Sequence, residues 1–401
     1  MKESKITGAR KPGRADATHC VHAGEERHGR RASLTTDIAQ TSVFTFPKLD
    51  DLRQYSMGKV KGFMYTRYGN PTVAAAEKKI AALEGAESCV VTASGMAAQM
   101  IVMLTLLRAG DELVSMLDVY GGTIKLFENI LARFNVKSTF VPYHDLGRIE
   151  RYFSRRTKAL FLETPTNPTL RCVDIAELAR KAHKRGITVV ADNTFATPIL
   201  QKPLELGADI VLHSATKYLG GHSDLTAGAI AGPAKLVEPA RTAMLQSGGN
   251  LDPGASYLLI RGLKTLQIRV ERACANAAQV AAALCAHPKV LRVMYPGLPG
   301  NEGHEVARRQ MSDYGMMVSF NIKGGERAAE RFIDALQLWY LAPSLGGVES
   351  TVSYPVLSSH YNIPAARLKL LDVSPATIRL SVGIEDPEDL ISDLSQSLAR
   401  A

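Results

Sequence analysis

The sequence predicts an α/β protein: a doubly wound, mainly parallel sheet, followed by a smaller C-terminal α+β domain and preceded by an extended N-terminal arm. Three observations carry this expectation. Between residues 87 and 212, short apolar runs alternate with helix-patterned segments at the spacing of strand–helix–strand units. The chain has 401 residues, too many for one small core and suited to a large domain plus a smaller one. Beyond Gly262 the pattern changes to a long helix and then a short sheet around residues 317–322. The boundaries read as an arm over residues 1–62, a sheet domain over 63–261 and a C-terminal domain over 262–401.

Along the arm, Thr, Ser, Pro and Gly break every period between residues 34 and 61, which reads as extended chain. Tyr65 and Arg67 follow, two apart on an extended stretch and so pointing the same way. Asn70-Pro71 is a turn signal, and residues 71–85 form a helix pattern with Val73, Ala76, Ile80 and Leu83 on one face. Strands are expected at 88–92, 112–116, 136–141, 158–162, 187–191 and 209–212, with helices at 95–107 and 122–134 between the first three. A further helix is capped by Asp174, carries Ile175, Leu178, Ala179 and Ala182, and stops at Gly186.

Composition excludes several classes of function. The formal charge is +9 and the pI about 9.2, but Lys2, Lys5, Arg10, Lys11, Arg14, Arg27, Arg30 and Arg31 hold much of the excess. The interior has no basic stripe interleaved with aromatics, so no nucleic-acid partner is expected. No run of eighteen apolar residues exists and the first residues lack an apolar signal core, so the expectation is no membrane partner and a cytoplasmic location. The five cysteines are scattered without a C-x-x-C, against a disulfide framework or zinc ribbon. His19 and His22 form an H-x-x-H without acidic or sulfur partners at suitable spacing, so no metal is expected.

The chemistry collects at the carboxyl ends of the expected strands, where such sheets bind ligands. Ala93-Ser94-Gly95-Met96 opens a helix, leaving the Gly95 and Met96 N–H groups free for a phosphate. Asp118-Val119-Tyr120-Gly121-Gly122 puts an aromatic ring on a loosened turn, where it can stack on a planar group. Glu163-Thr164-Pro165-Thr166-Asn167-Pro168 is a rigid loop that presents an amide. Asp192 ends an apolar strand, costly to bury without a partner such as a pyridinium nitrogen.

His213-Ser214-Ala215-Thr216-Lys217 then delivers two hydroxyls and an amine. A desolvated lysine has a depressed pKa and can form a Schiff base with an aldehyde, while the hydroxyls donate to an anion. Pyridoxal phosphate has both groups. Taken alone, Ser214 and Thr216 would be helix caps. The S-x-x-K spacing also fits a serine hydrolase with Ser214 as nucleophile, but Ser223-Asp224-Leu225 and Lys264-Thr265-Leu266 leave its other two motifs incomplete.

The motifs Y-T-R-Y-G-N-P-T, A-S-G-M, Y-G-G-T, E-T-P-T-N-P, D-N-T-F-A-T-P, H-S-A-T-K-Y-L-G-G-H and S-L-G-G-V-E-S stand in one order along nearly the whole chain. In this the sequence resembles the Cys/Met-metabolism group of pyridoxal phosphate enzymes, the γ-family of fold type I. The resemblance implies that Lys217 carries the cofactor, that Asp192 faces its ring nitrogen and that Tyr120 stacks on the ring and assists catalysis. It implies a phosphate held by Gly95, Met96, Ser214 and Thr216, with Tyr65 and Arg67 reaching in from a neighbouring subunit. It further implies an amino-acid substrate whose carboxylate binds Arg379, helped by Asn167 and Ser344, and a homotetramer built as a dimer of dimers with shared sites.

Within the family, R-Y-G-N-P-T, T-L-R-C-V-D-I, F-A-T-P and A-P-S-L-G-G-V-E-S look most like the plant-type cystathionine γ-synthase branch. That branch joins an activated homoserine ester to cysteine, a trans-sulfuration step of methionine biosynthesis. Gly347 and Gly122 differ from the residues typical of methionine γ-lyase. Pro343 stands where bacterial relatives usually place glutamate, and Met64 where many have an acidic residue. Cleavage by γ-elimination, as in cystathionine γ-lyase or methionine γ-lyase, and replacement by another thiol or a carbon nucleophile therefore stay open.

Overall fold

Residues 15–25 and 33–401 are described by the computed structural model. The basic residues Lys2, Lys5, Arg10, Lys11, Arg14, Arg27, Arg30 and Arg31 lie outside the described residues, as does most of the expected arm before Ser33.

Seven strands make the large sheet: β1 (Ser88–Thr92), β2 (Glu112–Met116), β3 (Lys137–Val141), β4 (Thr157–Glu163), β5 (Thr188–Asp192), β6 (Ile210–His213) and β7 (Gly228–Gly232). Their order is β1-β7-β6-β5-β4-β2-β3. All pairs from β6 to β3 are parallel, whereas β7 runs antiparallel to both β1 and β6. The carboxyl ends of the six other strands therefore share one edge. Val114, Leu160, Val190 and Leu212 are buried, as a sheet covered on both faces requires. The helices Gly95–Leu106, Ile175–His183 and Ala234–Ser247 close one face, and Pro71–Glu84, Pro253–Leu263 and the start of Leu266–Ala286 close the other.

The helix Pro71–Glu84 shows how local chemistry sets an element. Asn70 caps it, its side chain accepting from Thr72 N at 2.9 Å, Pro71 fills the first turn and Gly85 ends it in the left-handed region at φ 68°. Such a cap contributes about 1 kcal/mol. Asp174 caps its helix in the same way, through Glu177 N at 2.8 Å.

Three expectations are corrected. Residues 122–134 do not form one α-helix but an α-turn (Gly121–Lys125), a π-helix (Leu126–Ile130) and a 3-10 turn (Leu131–Phe134). Leu126 and Leu131, five apart, are both buried, and the Leu131 N–H reaches Leu126 O, so the wider turn puts both on the core face. The stretch 34–61 is not irregular throughout: Leu49–Ser56 is a helix, with Asp50 and Asp51 in the first turn where the dipole favours them. The set of strands ending at 212 omits β7, whose G-A-I-A-G sequence carries no strand signal beyond Ile230.

A second sheet of five strands, in order β10-β11-β12-β9-β8, comprises β8 (Val290–Met294), β9 (Met317–Ile322), β10 (Tyr340–Leu341), β11 (Thr351–Ser353) and β12 (Thr377–Ser381). The expected domain boundary at 262 falls within the helix Pro253–Leu263. The helices Leu266–Ala286, Gly325–Ala335 and Pro387–Arg400 cover the small sheet, with Phe320, Phe332 and Leu390 in its core. Among the described residues, no helix is long and apolar enough to cross a membrane.

Candidate active site

A cavity of about 470 Å³ opens where the carboxyl edge of the large sheet meets the small one. Strand ends of the large sheet supply much of its wall. After β1, Ser94 caps the helix Gly95–Leu106 by accepting from Ala97 N at 3.1 Å, so Gly95 and Met96 present the helix start to the cavity. The approach is close: a Cβ on Gly95 would lie 2.8 Å from Ser214 Cβ, so only glycine lets the β1 end reach the β6 end. Ser214 and Thr216 line the same corner. Ser214 N donates to Thr194 Oγ1 at 2.8 Å, and Thr216 is pinned to Ala227, accepting its N–H at 2.9 Å.

Asp192, at the end of β5, is buried. It accepts from Thr194 N at 3.0 Å and from Gln99 Nε2 at 3.3 Å, and Gln99 in turn accepts from Thr123 Oγ1 at 3.0 Å. Burial pushes its carboxyl up, while Thr194, His213 and Gln99 pull it down. Every partner it has within hydrogen-bond reach is neutral. Behind it, His213 and Glu84 form a fully buried pair at 2.5 Å.

Lys217 Nζ donates to Ser344 Oγ at 2.8 Å. Burial, then the charge of Arg379, push this amine down to about 8. Its partner is Ser344 and not Ser214, which removes the serine-hydrolase reading of the S-x-x-K spacing. Arg379 occupies the middle of buried β12, where burial lowers it to about 10. It donates to Asn167 Oδ1 at 2.8 Å and to Ser344 O at 3.3 Å, and its Nε has no partner. A buried guanidinium held only by neutral oxygens is a receptor for a carboxylate.

Tyr120, 43% exposed, stands at one wall, its N–H donating to Glu163 Oε2 at 2.9 Å. Pro343, Ser358 and Ser359 also line the cavity and carry no charge. The structure thus brings together ten residues singled out from the sequence: Gly95, Met96, Tyr120, Asn167, Asp192, Ser214, Thr216, Lys217, Ser344 and Arg379. It does not bring Tyr65 and Arg67 to this cavity. Arg67 donates to Leu245 O at 2.6 Å and lies 4.5 Å from the Tyr68 ring centroid, while Tyr65 is exposed. Glu163, Gln99 and Thr194 line the cavity but were missed. Glu163 was visible as the last apolar-strand position before the Pro-rich loop, and Gln99 as one turn along from Ser94-Gly95. No cluster of His, Cys, Asp and Glu among the described residues could hold a metal.

The residues fit pyridoxal phosphate. A helix start and two hydroxyls suit its phosphate, a buried carboxylate lacking a cation suits its ring nitrogen, and a desolvated amine suits its aldehyde.

Comparison with known proteins agrees. The family profile described as Cys/Met metabolism PLP-dependent enzyme matches residues 17–399. The chain is 44% identical to the chloroplastic cystathionine gamma-synthase 1 of Arabidopsis thaliana over 96% of its length and 69% of that protein's. It is 42% identical to an L-methionine gamma-lyase of Fusobacterium nucleatum subsp. polymorphum, covering 96% of this chain and 98% of the other. It is 43% identical to a cystathionine beta-lyase of Coxiella burnetii, covering 95% and 97%. Among solved structures, metB from Corynebacterium glutamicum superposes with a TM-score of 0.91 at 39% identity, covering 96% of this chain and 98% of that one.

Proposed function

The chain belongs to the Cys/Met metabolism family of PLP-dependent enzymes, and from this and the cavity we propose a γ-replacement enzyme that joins an activated homoserine ester to cysteine, giving cystathionine. The enzyme class and its pyridoxal phosphate dependence follow from family membership. The observation that carries the substrate assignment is Arg379, buried beside Lys217 with no carboxylate of its own.

When bound, the cofactor supplies an aldehyde for an amine and a ring that withdraws electrons from the substrate. Gly95, Met96, Ser214 and Thr216 would hold its phosphate, Asp192 would pair with its ring nitrogen and Tyr120 would stack on it. Arg379, Asn167 and Ser344 anchor the substrate carboxylate, which fixes the Cα–H bond toward Lys217. Lys217 Nζ takes the Cα proton and later returns it, with the Tyr120 hydroxyl assisting. A second proton leaves Cβ for a base in the cavity as the Cγ–O bond breaks and the ester's acid departs as its anion; the cysteine thiolate then bonds Cγ and the Cβ proton is returned. Tyr65 and Arg67, which do not line their own cavity, serve the phosphate site of a neighbouring subunit, in a tetramer made of two such dimers.

A second reading, γ-elimination from cystathionine or methionine, is favoured by Pro343, Ser358 and Ser359, lining residues that offer no carboxylate for the amino group of an incoming cysteine. One assay separates the two. O-succinyl-, O-acetyl- and O-phosphohomoserine are supplied with and without cysteine, alongside cystathionine and methionine alone. Cystathionine formed from an ester supports the synthase; rapid release of 2-oxobutanoate from cystathionine, with no thioether from any ester, assigns a lyase.

A further inference from the structure

Two carboxyl groups meet in the floor of the cavity. Glu163 ends β4, Asp192 ends β5, and the two are paired in the parallel register. Paired residues on neighbouring strands project to the same face, about 4.8 Å apart at the backbone, and both of these line the cavity. Both are buried.

The donors are divided unequally between them. Asp192 accepts from Thr194 N at 3.0 Å and Gln99 Nε2 at 3.3 Å, whereas Glu163 accepts from Tyr120 N at 2.9 Å. The cations in the cavity do not neutralise Glu163 by contact: Arg379 is bound to Asn167 and Ser344, and Lys217 to Ser344. Two buried carboxyl groups side by side disfavour a second negative charge, and the proton goes to the one with fewer donors. Burial, then the charge of Asp192, push the Glu163 carboxyl well above its usual range; the Tyr120 N–H and Arg379 oppose this, and Asp118 adds to it.

We propose that Glu163 is a positioning residue that works as its neutral acid, holding the Tyr120 backbone while leaving Asp192 the single negative charge at the sheet edge. The arrangement serves two ends. Tyr120 N–H is tied to Glu163, which fixes where the chain bearing the ring turns into Gly121–Lys125. The acid also occupies the place beside Asp192 without a second charge, so the attraction between Asp192 and a ring N–H is not shared with a competing anion. The proposal rests on cofactor binding and is independent of which nucleophile the enzyme uses.

The test uses the holoenzyme and reads protonation and affinity, not turnover. An infrared difference spectrum, wild type minus Glu163→Gln, is expected to show the carbonyl band of a protonated carboxylic acid, shifted in heavy water. The apparent Kd for pyridoxal phosphate is expected to stay within about threefold in Glu163→Gln, which keeps an acceptor for Tyr120 N. It should rise about tenfold in Glu163→Ala, which removes that hydrogen bond. Carboxylate bands without the acid band would overturn the proposal, as would Gln binding the cofactor as poorly as Ala. If the Ala variant does not fold, the spectrum and the Gln affinity still decide. Failure here leaves the homoserine-ester assay untouched, so the two readings fall separately.

Discussion

Lys217 Nζ donates to Ser344 Oγ at 2.8 Å, joining the end of β6 in the large sheet to the loop that leads from β10 to β11 in the small one. The amine has a hydroxyl where an ordinary buried lysine has a carboxylate, and it is lowered to about 8. Its neutral, nucleophilic form therefore dominates above that pH. Apoenzyme should take up pyridoxal phosphate faster as pH rises to about 8 and level off beyond it, instead of climbing toward 10 as an exposed lysine would. Borohydride should then bleach the yellow holoprotein and leave its adduct on Lys217 by peptide mapping. A colourless protein, or an adduct elsewhere, contradicts the assignment.

Arg379 should report on the substrate carboxylate. Truncating one partner of a buried, hydrogen-bonded charge pair costs about 2–5 kcal/mol, so Arg379→Ala should raise KM for the amino acid by about thirtyfold or more. Cofactor content should stay near normal. Steady-state kinetics with absorbance of the bound cofactor checks both, and an unchanged KM would remove Arg379 from substrate binding.

Arg67→Ala and Lys217→Ala should each be nearly inactive. Mixed under subunit exchange, they should recover up to about a quarter of wild-type activity, because one site in a mixed dimer receives both intact residues. Verified mixed dimers without any recovery would place Arg67 outside the neighbour's site.

Gly95→Ala should fold and yet bind cofactor poorly. The added Cβ would sit 2.8 Å from Ser214 Cβ and 2.9 Å from Ser214 Cα, so the two strand ends must part. Overpacking of this kind costs about 1–3 kcal/mol. Thermal unfolding should show the loss in the apoenzyme, and cofactor titration should show the weaker site.

The strand–helix alternation was legible because β4, β5 and β6 each carry an unbroken apolar run, A-L-F-L, V-V-A and I-V-L, that stops abruptly at a polar residue. That contrast exposed Asp192 and Ser214 to Lys217. Arg379 depended on the family resemblance, since an arginine between Ile378 and Leu380 reads equally as an exposed charge; burial on both sides of β12 is a tertiary fact. Glu163 is visible as the last position before the Pro-rich loop, but its role depends on the register of β4 against β5, which no local pattern records. β7 escaped because its small residues are chosen for closeness to neighbours and not for strand propensity.

β7 has a consequence for the order in which the molecule is made. It is the last of the seven large-sheet strands to be synthesised, yet it lies between the first and the sixth. Until it is inserted, β1 and β6 have no neighbour to hydrogen-bond across a gap of about 10 Å, two strand spacings. Gly228 then lets it close against β1, since a Cβ there would lie 2.2 Å from Ser94 O. The helix start at Gly95 and the hydroxyls of Ser214 and Thr216 therefore come together only after residue 232 has left the ribosome, and Arg379 arrives much later still. A nascent chain halted before β7 carries the lysine and the aspartate without the closed anion site between them, which delays cofactor capture until most of the polypeptide is complete.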